Sequence, residues 1–529
     1  MAPTVAYFCM EYGLHEEFPI YAGGLGILAG DFIKSGRDLG LPVVGVGLRW
    51  LHGYSRQRIL PDGQPVDDFP TYRADFLEDT GVRVRVRIAS REVEARVWRT
   101  ERWGNAPLFL LEPVAGDDAW ITRRLYEPTL DCRVAQEILL GVGGIRALRK
   151  LGLDVDVYHF NEGHAVFAGL EMIAERMAAG ADFRTAWAEV RRRIVFTTHT
   201  PVAAGNEVHA VRDLLRLGAS CDLVEAELRE IGGEPFNMTV AGLRLARHAN
   251  AVSALHAEVS REMWRDVTGA CEIIPITNGV HRPTWQDARI REALGSATGL
   301  RATHEALKQE MLAAVAQRTG VRLDANVLTI GFARRAAGYK RSDLVFGDPA
   351  RIEPLLAAGR LQLVFAGKAH PDDAGGRRIV ANLVAMARRY SDRVVFVPDY
   401  DMGLARLLTR GADVWLNNPI RPLEACGTSG MKAALNGGLN LSVLDGWWAE
   451  ACQHGVNGWA IGDGTSGAPD QDERDRAALY ATLETEVFPA FADPARWVSM
   501  MRAGIATAEA GFTSDRMVRD YFAQLYTAE

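Results

Sequence analysis

Along most of this 529-residue chain, short apolar runs alternate with longer stretches of helical periodicity. Residues 5–9 (VAYFC) and 42–48 (PVVGVGL) read as buried strands. Between them Gly23-Gly24-Leu25-Gly26 opens a helix running to about residue 39. Glycines at a helix entrance let backbone N–H groups approach an anion. Residues 60–115 change character. The strict alternation of 82–88 (VRVRVRI) predicts a strand with one solvated arginine face, so this region reads as an antiparallel β insertion. From residue 131 a helix (132–150) and a strand (155–159) follow, then a helix beginning at Asn161-Glu162-Gly163-His164. A strand at 194–198 ends at His199-Thr200-Pro201. Helices to about residue 250, a strand at 251–254, a helix at 259–267 and a strand at 272–276 lead to Thr277-Asn278-Gly279.

Past residues 283–303 the pattern restarts. A helix at 302–318 precedes strands at 327–332, 361–365, 394–397 and 414–416, and helices from about 472 finish the chain. Strands alternating with helices imply parallel sheets, with ligands at the strand C-terminal ends. The expected fold class is α/β, with two Rossmann-like domains, 1–280 and 281–508, facing a central cleft and the β insertion in the first. Residues 509–529 read as a C-terminal helix returning to the first domain.

Composition narrows the function classes. A net charge of −7 gives no support for nucleic acid as a bulk partner. The six cysteines are scattered, without a CxxC, which fits reduced thiols and a cytoplasmic protein. The N-terminus lacks the basic start of a secretory leader, and no uncharged stretch approaches a membrane span.

Lysine usage points to the chemistry. Of the 60 Lys and Arg residues only Lys34, Lys150, Lys308, Lys340, Lys368 and Lys432 are lysine. A chain this rich in arginine keeps lysine where a guanidinium will not serve, and a desolvated amine can attack an aldehyde. Lys432 lies among small residues with no adjacent acid, so it reads either as such an amine or as a snorkelling surface lysine or ion-pair partner. Arg334, Arg335, Lys340 and Lys368 all follow predicted strands, as a phosphate clamp or as a solvated basic face. Glu424, seven residues before Lys432 across a strand-to-helix turn, reads as an acceptor for sugar hydroxyls or as an ordinary exposed acid. His199 suits a sugar hydroxyl, proton transfer or a structural role. His159, Glu162 and His164 lack an HExxH pattern and a cysteine partner, so no metal is expected. Trp447-Trp448 fits core packing better than a sugar platform.

The ordered set is specific: Gly23-Gly24-Leu25-Gly26, His199-Thr200, Thr277-Asn278-Gly279 with Trp285, Arg335 and Lys340, Tyr400, and Glu424-Ala-Cys-Gly-Thr-x-x-Met-Lys432. Over nearly its whole length the chain thereby resembles the glycogen/α-glucan (maltodextrin) phosphorylase family in its short bacterial and archaeal form. The resemblance implies a glycosyltransferase of the GT-B architecture carrying pyridoxal 5′-phosphate on Lys432, with the cofactor's phosphate as its working group. It implies retaining phosphorolysis of α-1,4-glucan by inorganic phosphate to α-glucose 1-phosphate, with no nucleic acid and no membrane as partner. A homodimer is compatible with it.

Residue by residue, the resemblance puts Arg335, Lys340 and the Gly24 N–H on the substrate phosphate. It puts Arg334, Thr428 and Ser429 on the cofactor phosphate, with Tyr400 and Trp285 lining the cofactor pocket. Glu424, Asn278 and His199 would hold glucosyl hydroxyls, and the His199 carbonyl would steady an oxocarbenium-like centre. Cys426 and Gly427 offer backbone contacts, and Glu162 and His164 match a pair near the site. The chain departs from the long enzymes at Arg334 (lysine there), Cys426 (serine), Ala337 (histidine) and Glu162 (aspartate). It also lacks their N-terminal regulatory extension, so nucleotide or phosphoserine control is not expected. Two alternatives stand beside this reading. A nucleotide-sugar glucan synthase of the same fold would carry Glu-x7-Glu, where this chain has Lys432, and a lysine at the position of Tyr21. An inactive glucan-binding protein would have no need of Arg335, Lys340 and Lys432 together.

Overall fold

Two sheets organise the chain, in a computed structural model that describes residues 2–202 and 205–527. The first runs in the order Ile273–Pro275, His248–Ala251, Ile194–Thr197, Val157–Asn161, Val5–Phe8, Val43–Leu48, Leu108–Pro113, Arg91–Thr100, Glu78–Ile88. All neighbours from Ile273–Pro275 to Leu108–Pro113 are parallel, and the last two strands add antiparallel. Taken in chain order, the parallel strands lie 7-6-5-4-1-2-3. The chain starts in the middle, builds one half outward and crosses back to build the other. Such a doubly wound sheet has its crevice where the winding reverses, here between Val5–Phe8 and Val157–Asn161.

Strands covered on both faces by helices must be apolar throughout. Every residue of Val5–Phe8 is at most 2% exposed, and burying a side chain such as Phe8 contributes about 1.5–3 kcal/mol. The following helix, Gly24–Asp38, packs so closely that a Cβ at Gly30 would lie 2.1 Å from the Gly13 carbonyl oxygen. Glu78–Ile88 exposes Arg85 and Arg87 while burying Val84, Val86 and Ile88, the alternation its sequence predicts. The run expected at 251–254 is instead His248–Ala251, and its helix starts at Ala254, because Ser253 caps that helix by accepting from His256 N–H. Asn161 closes its strand rather than opening a helix; a short 3-10 turn, Gly163–Ala165, leads to the helix Phe167–Ala178.

The first compact unit comprises the chain up to Tyr54, Phe69–Thr277 and the segment from Ser514 onward. Residues 509–511, expected in that C-terminal segment, instead finish the helix Pro494–Gly511 of the second unit, and Ala528 and Glu529 lie outside the described residues. The segment is tied to the first sheet by a buried polar chain. Tyr526 OH meets His159 Nδ1 at 2.6 Å, His159 Nε2 meets Thr197 Oγ1 at 2.7 Å, and Thr197 donates to Asn250 Oδ1 at 2.6 Å. Asn250 Nδ2 donates in turn to Tyr521 OH at 2.9 Å. Burial holds His159 well below its ordinary pKa, so its ring is neutral: Nε2 donates to Thr197 and Nδ1 accepts from Tyr526.

The second unit comprises Ser55–Asp68 and Asn278–Thr513. Its sheet is wholly parallel, in the order Val394–Val397, Leu361–Ala366, Leu328–Ala333, Val414–Asn417, Leu439–Val443, Gly458–Ile461. In chain order this is 3-2-1-4-5-6, the same double winding. The last two strands escape the sequence reading; in Leu439–Val443 the buried Asn440 and Ser442 interrupt the apolar run. The hairpin Arg56–Ile59 with Pro65–Asp68, read from sequence as part of the first domain, its second strand within the insertion, packs here instead; Lys368 Nζ donates to the Ser55 carbonyl at 2.7 Å. No helix among the described residues is long and apolar enough to cross a membrane.

Candidate active site

The second sheet reverses its winding between Leu328–Ala333 and Val414–Asn417. Most of the sequence-predicted residues of this unit leave the C-terminal ends of these two strands. The chain after Ala333 carries Arg334 and Arg335 and turns at Gly338–Lys340. The chain after Asn417 loops to Thr428, the N-cap of the helix Ser429–Ala434, which carries Lys432.

Glu424 is where the cations converge. Its Oε2 accepts from Arg334 Nη1 at 2.9 Å and from Lys340 Nζ at 2.6 Å, with all three side chains 8–11% exposed. Arg334 also donates to Asn417 Oδ1 and, at 3.1 Å, to Ser429 Oγ, which accepts from Trp415 Nε1 at 3.1 Å. Burial would raise the Glu424 carboxyl, but Lys340 and Arg334, with help from Arg335, more than offset it and hold it below the usual carboxylate range. Glu424 is therefore ionised at neutral pH. Arg335 is exposed. Arg334, Arg335 and Lys340 against one carboxylate leave a cationic surplus, the condition for holding an oxyanion.

Lys432 is 7% exposed, which removes the surface-lysine reading. Its Nζ lies 3.7 Å from the Trp285 ring centroid, within cation–π range. Trp285 is fully buried, and Asn436 Nδ2 ties it to the lysine's helix by donating to the Trp285 carbonyl at 3.0 Å and the Lys432 carbonyl at 2.8 Å. Tyr400 is half-buried; burial pushes its hydroxyl up, against the charge of Arg334, so it stays protonated. Asn278 is 4% exposed. Lys368 does not join the cation group: its Nζ pairs with Asp399 Oδ1 at 2.7 Å. Trp447 and Trp448 are core residues, 2% and 1% exposed.

The loop between Asn417 and Thr428 is fixed from two sides. Arg341, in the left-handed region at φ 48°, donates to the carbonyls of Asn418 (2.8 Å) and Pro419 (2.7 Å). The turn after Leu439–Val443 holds the other end. Asp445 accepts the Glu424 N–H at 2.9 Å, and Trp447 N–H donates to the Cys426 carbonyl at 2.9 Å. Gly427 sits at φ 80°, where a glycine is favoured.

In the first unit, residues from the sequence set gather at that sheet's own winding reversal. Glu11 Oε2 accepts from Ala22 N–H (2.6 Å) and Gly23 N–H (3.1 Å), which fixes the glycine-rich entrance to the helix Gly24–Asp38. A Cβ at Gly24 would meet nothing within 4 Å, so the space beside that amide is open. His199 Nε2 meets Asn161 Oδ1 at 2.6 Å, and burial, with smaller contributions from His256 and His164, pushes it down to about 3. The ring is neutral at pH 7, with Nε2 donating to Asn161 and Nδ1 left as an acceptor. Glu162 turns to its own chain: Oε1 accepts from His199 N–H at 2.5 Å and Thr200 Oγ1 at 3.1 Å. His164 is likewise neutral, pushed to about 3 by burial and by Arg133.

His159, Glu162 and His164 form no group with metal-binding spacing among the described residues; Glu137, Glu207 and His209 do, with ligand atoms within 4.8 Å of one another. A cation already stands among them. Arg133 grips Glu207 in three bonds of 2.8, 3.0 and 2.7 Å and lies 3.5 Å from Glu137. Burial, aided by the Glu207 charge, pushes the Glu137 carboxyl up, with His209 and Arg133 acting against it. We read this group as the anchor of Arg133, which lies 4.9 Å from the Tyr126 ring, whose hydroxyl donates to Glu11 Oε1 at 2.6 Å.

Sequence reasoning missed Glu11, Asn417 and Asp445, each of which positions a residue it did find. Asn417 carries a signal, since a polar residue ending an apolar strand at a winding reversal points to the crevice. Glu11 and Asp445 carry none beyond lying after a strand.

Fold and site together define a doubly wound α/β protein with a buried lysine and a group of cations around one buried carboxylate. The model of the carbohydrate phosphorylase family matches residues 289–456. The chain is 39% identical to the maltodextrin phosphorylase of Thermococcus litoralis, over 99% of this chain and 70% of that one. It is 37% identical to the glycogen phosphorylase of Aquifex aeolicus, over 99% and 86%. An uncharacterized protein of Methanocaldococcus jannaschii matches along its entire length at 35%. The chain belongs to the carbohydrate phosphorylase family.

Proposed function

We propose that this protein is a pyridoxal 5′-phosphate-dependent α-1,4-glucan phosphorylase, cleaving glycogen or maltodextrin with inorganic phosphate to give α-glucose 1-phosphate with retained configuration. The observation that carries the reading is the buried Lys432 amine on the face of Trp285, one helical turn from a Ser429 hydroxyl held by Arg334. The donor set suits the cofactor: an amine for its aldehyde, a guanidinium and the hydroxyls of Thr428 and Ser429 for its phosphate, and Tyr400 and Trp285 beside its ring. When bound, the cofactor supplies a phosphate that exchanges a proton with the substrate phosphate.

The chain's own residues do the rest. Arg335 and Lys340 bind inorganic phosphate, and their cationic surplus offsets the cost of bringing two anions together; in the first unit the Gly24 N–H is a donor for an anion. Ionised Glu424 accepts from a glucosyl hydroxyl and Asn278 binds another; in the first unit the neutral His199 ring offers Nδ1 as an acceptor for a hydroxyl. A histidine neutral at pH 7 is no acid for the glycosidic oxygen, so substrate phosphate is the donor. The His199 carbonyl steadies the oxocarbenium-like centre, and Glu162 holds that carbonyl's segment in place. The backbone at Cys426 and Gly427 adds contacts to the sugar. The GT-B architecture and a cytoplasmic reaction belong to the same reading.

Phosphorolysis of maltodextrin, with and without added pyridoxal phosphate, tests it. The expected result is phosphate-dependent release of α-glucose 1-phosphate and a near-ultraviolet absorbance band on the protein. A synthase would consume a nucleotide sugar and lack the band. An inactive binding protein would retain maltodextrin and release nothing.

A further inference from the structure

The loop carrying Glu424 is held from behind by a second acid. Asp445 is 3% exposed and follows the strand Leu439–Val443. Its two oxygens do separate work: Oδ2 accepts the Glu424 N–H at 2.9 Å, and Oδ1 accepts the Gly446 N–H at 2.8 Å. The turn and the loop then meet at backbone distance. Trp447 N–H donates to the Cys426 carbonyl at 2.9 Å, and a Cβ at Gly446, at φ 52°, would lie 2.3 Å from that same oxygen. Arg421, at the near end of the loop, donates to the Leu444 carbonyl. The main chain of Glu424 thus has its position set by the Asp445 carboxylate.

We propose that Asp445 is a positioning residue for Glu424: by accepting two backbone N–H groups at once, its carboxylate fixes the place from which Glu424 meets a glucosyl hydroxyl. This rests on the phosphorylase reading above. Burial pushes Asp445 up to about 7; the two amide bonds and Arg421 act against it, and the Glu424 carboxylate adds to it. Glu424 and Arg421 are the charged groups acting on it. Protonation converts one acceptor oxygen into a hydroxyl donor, so the two amides are no longer both accepted in the same way. The loop is therefore held best above neutrality and loosens below it. Glu424 itself ionises in the acid range, so the two titrations are separate.

Asp445→Asn imitates the protonated acid, since its amide oxygen accepts one N–H and its NH2 group faces the other as a second donor. The expected result at about pH 8 is a fall of roughly tenfold in kcat/KM for maltodextrin, with the KM for phosphate unchanged. The wild-type to D445N ratio should shrink toward unity at about pH 6, where the wild-type acid is itself protonated; the ratio cancels the ionisation of the phosphates. Backbone hydrogen exchange across residues 421–428, corrected for intrinsic rates, reads the same clamp without catalysis. Wild-type protection should fall between about pH 8 and 6, and D445N should be weakly protected at both. Exchange that behaves so in a protein without phosphorolysis would leave the clamp and remove the phosphorylase reading. Active D445N with wild-type kinetics and wild-type protection would overturn the role of Asp445. Should D445N fail to fold, pH-independent protection in the wild type overturns it equally.

Discussion

The Lys432 ammonium nitrogen stands 3.7 Å from the centroid of the Trp285 ring. Charge alone can be kept there by arginine, which also stacks on aromatic faces, but arginine does not condense with an aldehyde. Lys432→Arg and Lys432→Ala should therefore both lose the near-ultraviolet band and drop phosphorolysis below detection, with the thermal transition of the arginine variant close to wild type. Activity in Lys432→Arg would remove the amine from the chemistry.

Arg334 spends its guanidinium on Glu424, Asn417 and Ser429. A lysine there has one ammonium and a shorter reach, and each lost charged hydrogen bond costs about 1.5–3 kcal/mol. Arg334→Lys should need roughly tenfold more pyridoxal phosphate for half-saturation of the cofactor-free protein, a conservative reading of that range. The titration is followed by absorbance, and an unchanged midpoint would place Arg334 outside the cofactor contacts.

Acid should weaken the fold through Glu424. Its folded carboxyl lies below the unfolded value, so its stabilisation is present above the unfolded pKa and is lost as pH falls through the folded one. Glu424→Gln should lower the unfolding temperature at neutral pH, since about 3 kcal/mol is lost when buried cations are left without their partner. The variant and the wild type should converge once the pH has fallen through the folded pKa of Glu424, which lies below the ordinary carboxylate value. Maltodextrin kcat/KM at neutral pH should fall by about two orders of magnitude, as for loss of a charged sugar contact. A constant gap in unfolding temperature across the pH range would deny Glu424 this linkage.

Tyr526→Phe removes the hydroxyl bonded to the buried His159 ring. The orphaned Nδ1 should cost about 1–3 kcal/mol, read as a lower denaturant midpoint of the first unit. kcat should not change, because the pair sits in the core and touches no candidate site residue. An unaltered midpoint would show that the C-terminal segment is held by other contacts.

The sequence revealed what repeats a strong local pattern. Residues 5–9 and 414–416 are unbroken apolar runs, and both give central strands. Arg334, Lys340, Glu424 and Lys432 were legible because unusual residue types follow such strands at a loop. Leu439–Val443 was not legible, because Asn440 and Ser442 are polar residues satisfied only by the folded neighbourhood; Asn440 Nδ2 donates to the Gly430 carbonyl at 3.0 Å. Asp445 was lost with that strand. Its partners are backbone N–H groups, which every residue but proline carries, so no side-chain pairing in the sequence pointed to it. The alternation of helices and strands announced parallel sheets. The position of the winding reversal, which gives the cation group its place, became visible only from the strand order.

The buried polar chain from His159 through Asn250 has a bearing on biosynthesis. Its two tyrosines, Tyr521 and Tyr526, are translated only after the whole second unit. While that unit emerges, the nascent first sheet carries the His159 Nδ1 and the Asn250 Nδ2 without their tyrosine partners, as an incompletely closed intermediate. Maturation of the amino-terminal half is thereby coupled to arrival of the tail, and a ribosome stalled before Ser514 would release a protein with an unfinished core.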